Sequence, residues 1–354
     1  MSRRDAGSPG EGNPRMRVLW THNFDPAAPN SGLFMNIAAP GLRARGIDLE
    51  FEYLGNLRSI PTLMKAGERL RKIAASFDLV HAQYGSACAL ATSAIEGVPK
   101  VVSLRGNDWN LYSDSFGFHW FHTRLARAMT IRSLRSFDHV LTVSQRVAED
   151  VKRSSPTSVV SPLPTPIDLE RFVPRDKKEA RALLGFPGNT EKWVLFSAMD
   201  VEDPIKRFSL AKQAFELANA RCGNLRLRVA TNLPHKEIPL FTAACDVILC
   251  TSETEGWPNC VKEALASNVP FVSTDVSDLR DIARGEPSCH VCTPDPRVLA
   301  ENLCEAAFSP ATSDLRKHVT SMSLDAVSDR LVRVYASLTT GARSTGGHGK
   351  GEQG

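Results

Sequence analysis

Two glutamates in the C-terminal third of the chain flank a predicted turn between a strand and a helix, where acidic side chains could contact a bound ligand. Glu255 follows an apolar run, Val247–Cys250, that predicts a buried parallel strand, and Glu263 lies eight positions later inside a predicted helix. Gly256 and Pro258 stand between them; a proline suits the first turn of a helix, whose free N–H groups attract phosphate. Open α/β sheets bind their ligands at the C-terminal edge of the strands. The stretch therefore predicts a site for a phosphate-bearing ligand.

The residues around the two glutamates carry a family resemblance. The chain reads Glu-Gly-Trp-Pro-Asn from Glu255 and Glu-Ala-Leu-Ala from Glu263. This pattern resembles the double-glutamate signature of the retaining, GT-B fold glycosyltransferases of family 4 (glycosyl transferases group 1). The resemblance implies that Glu255 contacts a donor sugar, that Glu263 holds the ribose of its nucleotide, and that the helix start meets the pyrophosphate. The donor-binding residues so predicted are Lys206, Arg207, Glu255, Gly256, Trp257, Pro258, Asn259 and Glu263.

Lys206 and Arg207 are the cations expected beside the pyrophosphate. They follow a predicted strand at 193–198, and Lys206 matches a lysine that the family carries in this region. Arg207 replaces a glycine of the family, and the family's strand-end arginine is missing. The chain has no Asp-x-Asp, the metal clamp of the other large glycosyltransferase class, so we expect no metal and no cofactor. The alternative is that both cations are surface residues at a helix end.

The N-terminal half supplies a second group of candidates at a predicted strand end. Arg105, Gly106 and Asp108 resemble the family's His-Gly-Ser/Thr-Asp, which lies near the reacting sugar. Arg105 replaces the histidine and cannot act as a base at neutral pH, but it could bind a phosphate or an acidic acceptor. Asp108 is expected to orient the donor or the acceptor. The predicted catalytic residues are therefore Glu255, Lys206 and Asp108.

Gly32 and His81 join Arg105 as candidates for the acceptor side of the cleft. Gly32 ends an Asn-Ser-Gly turn that resembles the family's first glycine loop, in which two adjacent glycines are usual. His81 ends a predicted strand that faces the cleft. A histidine in such a position is either a ligand of the cleft or a hydrogen-bonded structural residue, and the structural role is the commoner one.

Strand and helix patterns alternate along the chain between two polar tails, which predicts parallel α/β sheets. A proline-rich stretch at 159–174 marks the junction between two halves. By resemblance we expect the GT-B architecture: two Rossmann-like, doubly wound domains facing a cleft, with a C-terminal helix that packs back on the first domain. The predicted divisions are disordered tails at 1–14 and 341–354, an acceptor domain at 15–165, a nucleotide-sugar donor domain at 166–310 and closing helices at 311–340.

Composition and charge exclude several classes of protein. The 354 residues carry a net charge of +4, and no apolar run approaches the ~20 residues of a membrane span. Residues 1–165 hold 20 basic and 14 acidic residues, an excess too sparse for nucleic-acid binding that still permits weak contact with an anionic membrane. Two basic amphipathic helices, predicted at 63–77 and 121–137, are either solvated surface or a patch that faces membrane or acceptor.

The N-terminus lacks the apolar core of a secretion signal, so we expect a cytoplasmic protein, with contact at the inner face of the membrane permitted by its charge. For the same reason we expect the eight cysteines to be free thiols rather than disulfides.

The function that the resemblance implies is retaining, metal-independent transfer of a sugar from a nucleotide-diphosphate donor to an acceptor hydroxyl, in surface polysaccharide, lipid-linked glycan or other glycoconjugate synthesis. A small-molecule acceptor is also compatible with the sequence. Two alternatives stay open: a GT-B nucleotide-sugar epimerase, and a catalytically inactive subunit that binds a sugar nucleotide. Arg105 and the missing arginine motivate the second alternative.

Overall fold

The computed structural model describes residues 15–28, 31–112, 118–188, 190–231, 233–234, 236–309 and 314–345. The predicted tail at 1–14, most of the predicted tail at 341–354, and Asn30 of the Asn-Ser-Gly turn lie outside these residues. Residues 341–345 belong to the last helix, Leu324–Thr345, which therefore extends beyond the predicted tail boundary.

The first half of the chain folds around a parallel six-stranded sheet. Its strands are β1 (Arg17–His22), β2 (Asp48–Tyr53), β3 (Leu79–Ala82), β4 (Lys100–Leu104), β5 (His139–Thr142) and β6 (Val160–Pro162). The central strands are short apolar runs that are buried on both faces, as parallel strands between two helix layers must be. The order β2-β1-β3-β4-β5-β6 reverses its winding between β1 and β3.

The second half folds around a parallel five-stranded sheet. Its strands are β7 (Lys192–Ser197), β8 (Leu225–Ala230), β9 (Val247–Cys250), β10 (Phe271–Thr274) and β11 (His290–Cys292). The order β11-β10-β9-β7-β8 reverses its winding between β7 and β9. Because loops on the two sides of such a switch point diverge, they leave a crevice at the carboxyl ends of the strands.

Helices cover both faces of both sheets, so each half is doubly wound as predicted. The helices are α1 (Leu33–Arg43), α2 (Ile60–Ala74), α3 (Ser86–Thr92), α4 (Phe118–Leu134), α5 (Gln145–Ser154), α6 (Lys177–Leu183), α7 (Phe208–Cys222), α8 (Ile238–Ala244), α9 (Asn259–Ala266), α10 (Leu279–Ala283), α11 (Pro296–Phe308) and α12 (Leu324–Thr345). None of these described helices has the length and apolar character that a bilayer crossing requires.

The last helix, α12, returns to the first half, as predicted. Its Tyr335 is fully buried against the first sheet, where Trp20 Nε1 donates to the tyrosine Oη at 2.9 Å. Arg45 of the first half forms ion pairs with Asp325 and Asp329 of α12. Burial of a large aromatic ring with its hydroxyl satisfied is an effective anchor, because neither its apolar nor its polar part is left uncompensated.

The expectation of eight free cysteines is wrong for one pair. Cys222 at the end of α7 and Cys304 on α11 form a disulfide, with Cα atoms 6.1 Å apart. The two helices pack side by side on one face of the second sheet, and this packing brings together residues that are 82 positions apart. The other six cysteines are free, as expected.

Candidate functional site

Lys206 and Glu255 meet at the switch point of the second sheet. Lys206 lies in the loop after β7 and Glu255 in the loop after β9, and these strands are neighbours in the sheet. Lys206 Nζ lies 2.5 Å from Glu255 Oε1, which also accepts a hydrogen bond from Ser252 Oγ at 2.8 Å. Desolvation opposes the lysine's charge, but the Glu255 carboxylate outweighs it and raises the pKa of Lys206. Lys206 is therefore protonated at neutral pH and places a positive charge within the crevice.

Arg207, the second predicted phosphate cation, points to backbone instead. Its Nε and Nη2 donate to the carbonyl oxygens of Thr251 and Ser252, each at 2.8 Å. Its own backbone is left-handed, with φ of 49°, a conformation in which the family's glycine is the unstrained residue. Arg207 thus braces the loop that carries Glu255, and it acts on the site through that loop.

The loop after Glu255 leads into α9 much as predicted. Pro258 is the residue before the helix, one position earlier than expected, and Asn259 is the first helical residue. The N–H groups of Val261 and Lys262 already bond to the Pro258 carbonyl, while the first N–H groups of a helix have no intrahelical partner. Trp257, predicted to bind donor, packs in the core of the second half with 6% exposure.

Glu263 lies on α9, partly buried, and no hydrogen bond to its carboxylate is found within the described part of the chain. Burial raises its pKa to about 7, against the attraction of Lys262 and Arg171. The adjacent Lys262 is fully buried and donates to the carbonyl and hydroxyl of Thr165 at 2.8 and 2.7 Å. Burial lowers the pKa of Lys262 to about 7. A carboxylate without hydrogen-bond donors, beside the predicted pyrophosphate site, is equipped to accept hydroxyl groups of a ligand.

Asp108, a predicted catalytic residue, is fully buried and committed to backbone. Oδ1 accepts from the N–H groups of Arg105 and Gly106 at 2.9 and 2.8 Å, and Oδ2 accepts from Gly85 N–H at 2.7 Å. Burial raises the pKa of Asp108 although these hydrogen bonds lower it. The carboxylate therefore holds the turn after β4 against the turn after β3, and shapes the cleft without facing it.

His81, predicted to line the cleft, is interior and takes the structural role. Its Nδ1 lies 2.6 Å from Tyr335 Oη and its Nε2 lies 2.9 Å from Ser103 Oγ. Desolvation, followed by the nearby positive charges, holds its pKa well below the usual value, so the ring is neutral. Sequence position alone could not distinguish the two roles, because α12 supplies the partner from 254 residues away.

Arg105 and Gly32 lie at the cleft side of the first half. Arg105 donates from Nη2 to Gln83 Oε1 at 2.7 Å and stacks over the Phe34 ring. Gly32 precedes α1 with φ of 67°, and a Cβ there would meet Met35 Cε at 2.6 Å. The turn therefore favours glycine for its left-handed conformation, whereas the methionine end could move aside.

The two halves touch where their site loops face each other. A Cβ on Gly106 would lie 2.8 Å from the Gly256 nitrogen, and a Cβ on Gly256 would collide with the Arg105 carbonyl oxygen. Asp278 of the second half accepts from the N–H groups of Gln145 and Arg146 at 2.8 and 2.9 Å. These N–H groups open α5, so the carboxylate caps a helix across the cleft.

Two polar residues near the site were missed by sequence reasoning. Tyr112 belongs to the first half. Desolvation raises its pKa, and the negative charges of Asp203 and Glu255 in the second half raise it further. Asp278 was not singled out because its partner helix is more than a hundred residues away. Neither residue has a local signal, since each acquires its role only when the halves meet.

Within the described residues, no group of three or more His, Cys, Asp or Glu is placed to hold a metal ion.

Comparison with known proteins places two family models on the chain. The model described as Glycosyltransferase Family 4 matches residues 17–171, and the model described as Glycosyl transferases group 1 matches residues 197–307. A curated relative, the putative teichuronic acid biosynthesis glycosyltransferase TuaC of Bacillus subtilis, is 23% identical; the match spans 84% of this chain and 92% of the relative.

Solved structures share the architecture. Sucrose-phosphate synthase from Thermosynechococcus elongatus superposes with a TM-score of 0.75 at 16% identity, covering 92% of this chain and 100% of that chain. Anabaena HepE in complex with UDP-glucose superposes with a TM-score of 0.68 at 15% identity, covering 91% and 100%. At these identities the likeness establishes the fold, and it confirms the predicted GT-B architecture.

Proposed function

From the premise that the chain belongs to the glycosyltransferases of family 4, we propose that it transfers a sugar from a nucleotide-diphosphate donor to an acceptor hydroxyl with retention of configuration. The observation that carries the proposal is the Lys206–Glu255 pair at the switch point of the second sheet, beside the start of α9 and the hydroxyl-accepting Glu263. Lys206 and the start of α9 suit the negatively charged diphosphate of such a donor, and Glu263 suits the hydroxyl groups of its ribose.

The chemical step follows from where charge develops. The bond between the anomeric carbon and the diphosphate oxygen breaks, the acceptor oxygen bonds to the same face of that carbon, and the acceptor proton passes to the departing phosphate oxygen. Lys206 and the N–H groups at the start of α9 stabilise the growing negative charge on the diphosphate. Glu255 orients the transferred sugar. This division of labour uses no metal and no cofactor, and metal independence is part of the proposal.

Asp108 acts in this scheme as a positioning residue. Its carboxylate fixes the Arg105–Gly106 turn that faces Gly256 across the cleft. Arg207 acts likewise on the loop that precedes Glu255. Both residues are therefore expected to affect turnover through the placement of loops rather than through contact with the reacting atoms.

The acceptor that we propose is a growing glycan, a lipid-linked glycan or another hydroxyl-bearing glycoconjugate; a small-molecule acceptor is compatible with the same site. Weak contact with an anionic membrane at its cytoplasmic face is supported by α2 and α4, which together hold seven basic residues and one acidic residue. Ile60 and Phe121, at the starts of these helices, are 74% and 61% exposed. Exposed apolar residues among cations suit a lipid–water interface.

A second candidate, binding of a sugar nucleotide without transfer, is favoured by one observation. Arg105 occupies the position of the family's histidine and cannot serve as a base. Product analysis with and without acceptor separates the candidates: transfer yields a glycosylated acceptor, an epimerase yields an isomeric donor in its absence, and an inactive subunit yields neither while still binding nucleotide in calorimetry.

The test of the donor site is substitution of Lys206, proposed to bind the diphosphate, and of Glu263, proposed to bind the ribose. We expect Lys206→Ala and Glu263→Ala each to lower turnover at least about tenfold with the fold intact. Lys212→Ala, which removes an exposed lysine from the outer side of α7, is the matched control. Addition of a chelator should leave the wild-type rate unchanged. Rates near wild type for both site variants would remove the assignment.

A further inference from the structure

Arg105 is the charge in the cleft that the donor site leaves unexplained. It follows β4, and its guanidinium carbon lies 4.2 Å from the centroid of the Phe34 ring. The hydrogen bonds of its side chain go to Gln83, from Nη2 to Oε1 at 2.7 Å and from Nε to the backbone oxygen at 3.3 Å. No carboxylate of the described residues forms an ion pair with it.

The neighbouring acid, Asp108, attracts Arg105 but does not form an ion pair with its guanidinium. Both Asp108 oxygens are occupied by backbone N–H groups, including that of Arg105 itself. Burial lowers the pKa of Arg105 to about 10, against the attraction of Asp108, so the guanidinium is still charged at neutral pH. A partly buried cation without a counter-ion is unfavourable for the free protein. Its place at the carboxyl ends of the strands indicates that a ligand supplies the counter-ion.

A second observation lies beside it. Gln83 is fully buried; its Oε1 accepts from Arg105, while its Nε2 has no hydrogen-bond partner among the residues that the structure describes. Gln83 follows β3, which pairs with β1. β1 and β3 flank the switch point of the first sheet. Buried polar atoms in proteins are nearly always satisfied, so an unpartnered donor at a ligand-binding edge points to a ligand.

We infer that Arg105 and Gln83 form an anion subsite in the first half, which takes a carboxylate or phosphate group of the substrate. The guanidinium provides the charge and the Gln83 amide a neutral donor. The backbone of Arg105 packs against the loop that holds Glu255 and Gly256, because a Cβ on Gly256 would meet the Arg105 carbonyl. The inference rests on the proposed function and adds a substrate class: either the diphosphate of the donor reaches Arg105, or the acceptor is an acidic sugar.

The experiment compares Arg105→Gln with the matched control Arg127→Gln. Arg127 belongs to the same half and also stacks on an aromatic ring, Trp109, but it is ion-paired with Asp150 at 2.9 Å. Full-length proteins are titrated by calorimetry with pyrophosphate, uridine diphosphate, glucuronate and glucose. Thermal unfolding of each variant is recorded alongside, and Arg105→Lys, which keeps the charge, tests rescue.

We expect Arg105→Gln to weaken binding of at least one anion about tenfold or more, to leave glucose unchanged, and to unfold no earlier than wild type. Weakened pyrophosphate binding identifies the donor as the source of the anion; weakened glucuronate binding alone identifies an acidic acceptor. Arg105→Lys should recover part of the loss, and Arg127→Gln should lower thermal stability without changing any titration.

The subsite is overturned if Arg105→Gln binds every anion as wild type does, or if Arg127→Gln loses as much affinity. In that case Arg105 is a brace for Phe34 and Gln83. The proposed function has its own test: a wild-type protein that binds no uridine diphosphate and transfers no sugar would contradict the function and the subsite together. If wild type and Arg105→Gln bind uridine diphosphate, pyrophosphate and glucuronate equally well, only the subsite is contradicted.

Discussion

At the scale of single residues, burial rather than sequence neighbours sets the chemistry of the site. Glu263 and Lys262 are adjacent, yet desolvation brings the pKa of each to about 7, the acid upwards and the base downwards. Each side chain is therefore held in an environment that disfavours its charge. An acid whose pKa is raised by burial beside a crevice is a candidate for contact with a ligand.

Glu263→Gln gives a pH-dependent prediction. The pKa of the acid is raised from 4.5 to about 7 in the folded protein, so its ionisation costs stability progressively between about pH 4.5 and pH 7, and the full cost persists at higher pH. The variant should unfold at a temperature above wild type at pH 8 and close to wild type at pH 4. Its affinity for nucleotide should fall at pH 8, since an amide accepts fewer hydroxyl donors than a carboxylate. Equal unfolding temperatures at pH 8 would contradict the assigned burial.

Asn268 shows how one position can meet a backbone requirement without glycine. Its φ of 58° is left-handed, and its side-chain oxygen accepts from Leu315 N–H at 2.8 Å. Asn268→Ala should lower the free energy of unfolding by about 2 kcal/mol, since strain of about 1 kcal/mol adds to a lost hydrogen bond of about 1 kcal/mol. Asn268→Gly loses only the hydrogen bond. Urea denaturation of both variants checks the order, and a less stable glycine variant would refute it.

At the scale of elements, the site is built from pairs of loops that follow neighbouring strands. β7 and β9 place Lys206 against Glu255, and β3 and β4 place Gln83 against Arg105. The strands are apolar and buried, so they fix the loops rigidly, whereas the loops carry the polar groups. α12 contributes differently, by satisfying His81 and Trp20 from the far end of the chain.

Tyr335→Phe tests the contribution of α12. Without the hydroxyl, Trp20 Nε1 and His81 Nδ1 lose a buried hydrogen-bond partner, which should cost about 1–3 kcal/mol. We expect a lower free energy of unfolding, measured in urea, and unchanged nucleotide affinity, because His81 lies inside the first half. Thr339→Val on the same helix is the control, since its hydroxyl bonds only to the helix backbone. A selective loss of acceptor binding would contradict the structural role of His81 and indicate that it contacts the acceptor.

At the scale of the whole molecule, function depends on how closely the halves approach. Contact between the Gly106 and Gly256 loops leaves no space for a side chain, and Asp278 holds the start of α5 from the opposite half. The described conformation is therefore a closed one, in which the donor loop and the first-half turn lie within van der Waals distance. Closure of this kind excludes water and completes a site that neither half contains alone.

Gly256→Ala should keep the halves from closing fully. Its Cβ would meet the Arg105 carbonyl and lie 2.7 Å from Val143 Cγ2. We expect turnover to fall about tenfold or more, since small displacements between reacting groups carry large rate penalties. Small-angle scattering should show a larger radius of gyration. Gly285→Ala, whose nearest atom would lie 3.9 Å away, is the control and should behave as wild type.

The sequence by itself determined the features that depend on local patterns. Apolar runs and glycine or proline turns predicted the alternating α/β halves, and the structure confirms them. That prediction succeeds because a strand, the turn after it and the next helix start are specified within about ten residues of one another, by burial and backbone sterics. The spacing of Glu255 and Glu263 predicted a site for a phosphate-bearing ligand, which stays a prediction.

Only the tertiary structure decided which polar groups are free for a ligand. Asp108, His81 and Arg207 have the right types at the right strand ends, yet each is bound to protein groups. Arg105 has no ion pair with any carboxylate in the part of the chain that the structure describes, and Cys222 joins Cys304 across two helices. Such outcomes depend on partners tens to hundreds of residues away. The reason is physical: availability of a side chain is set by burial and hydrogen-bond competition in the folded state, which spacing along the chain does not encode.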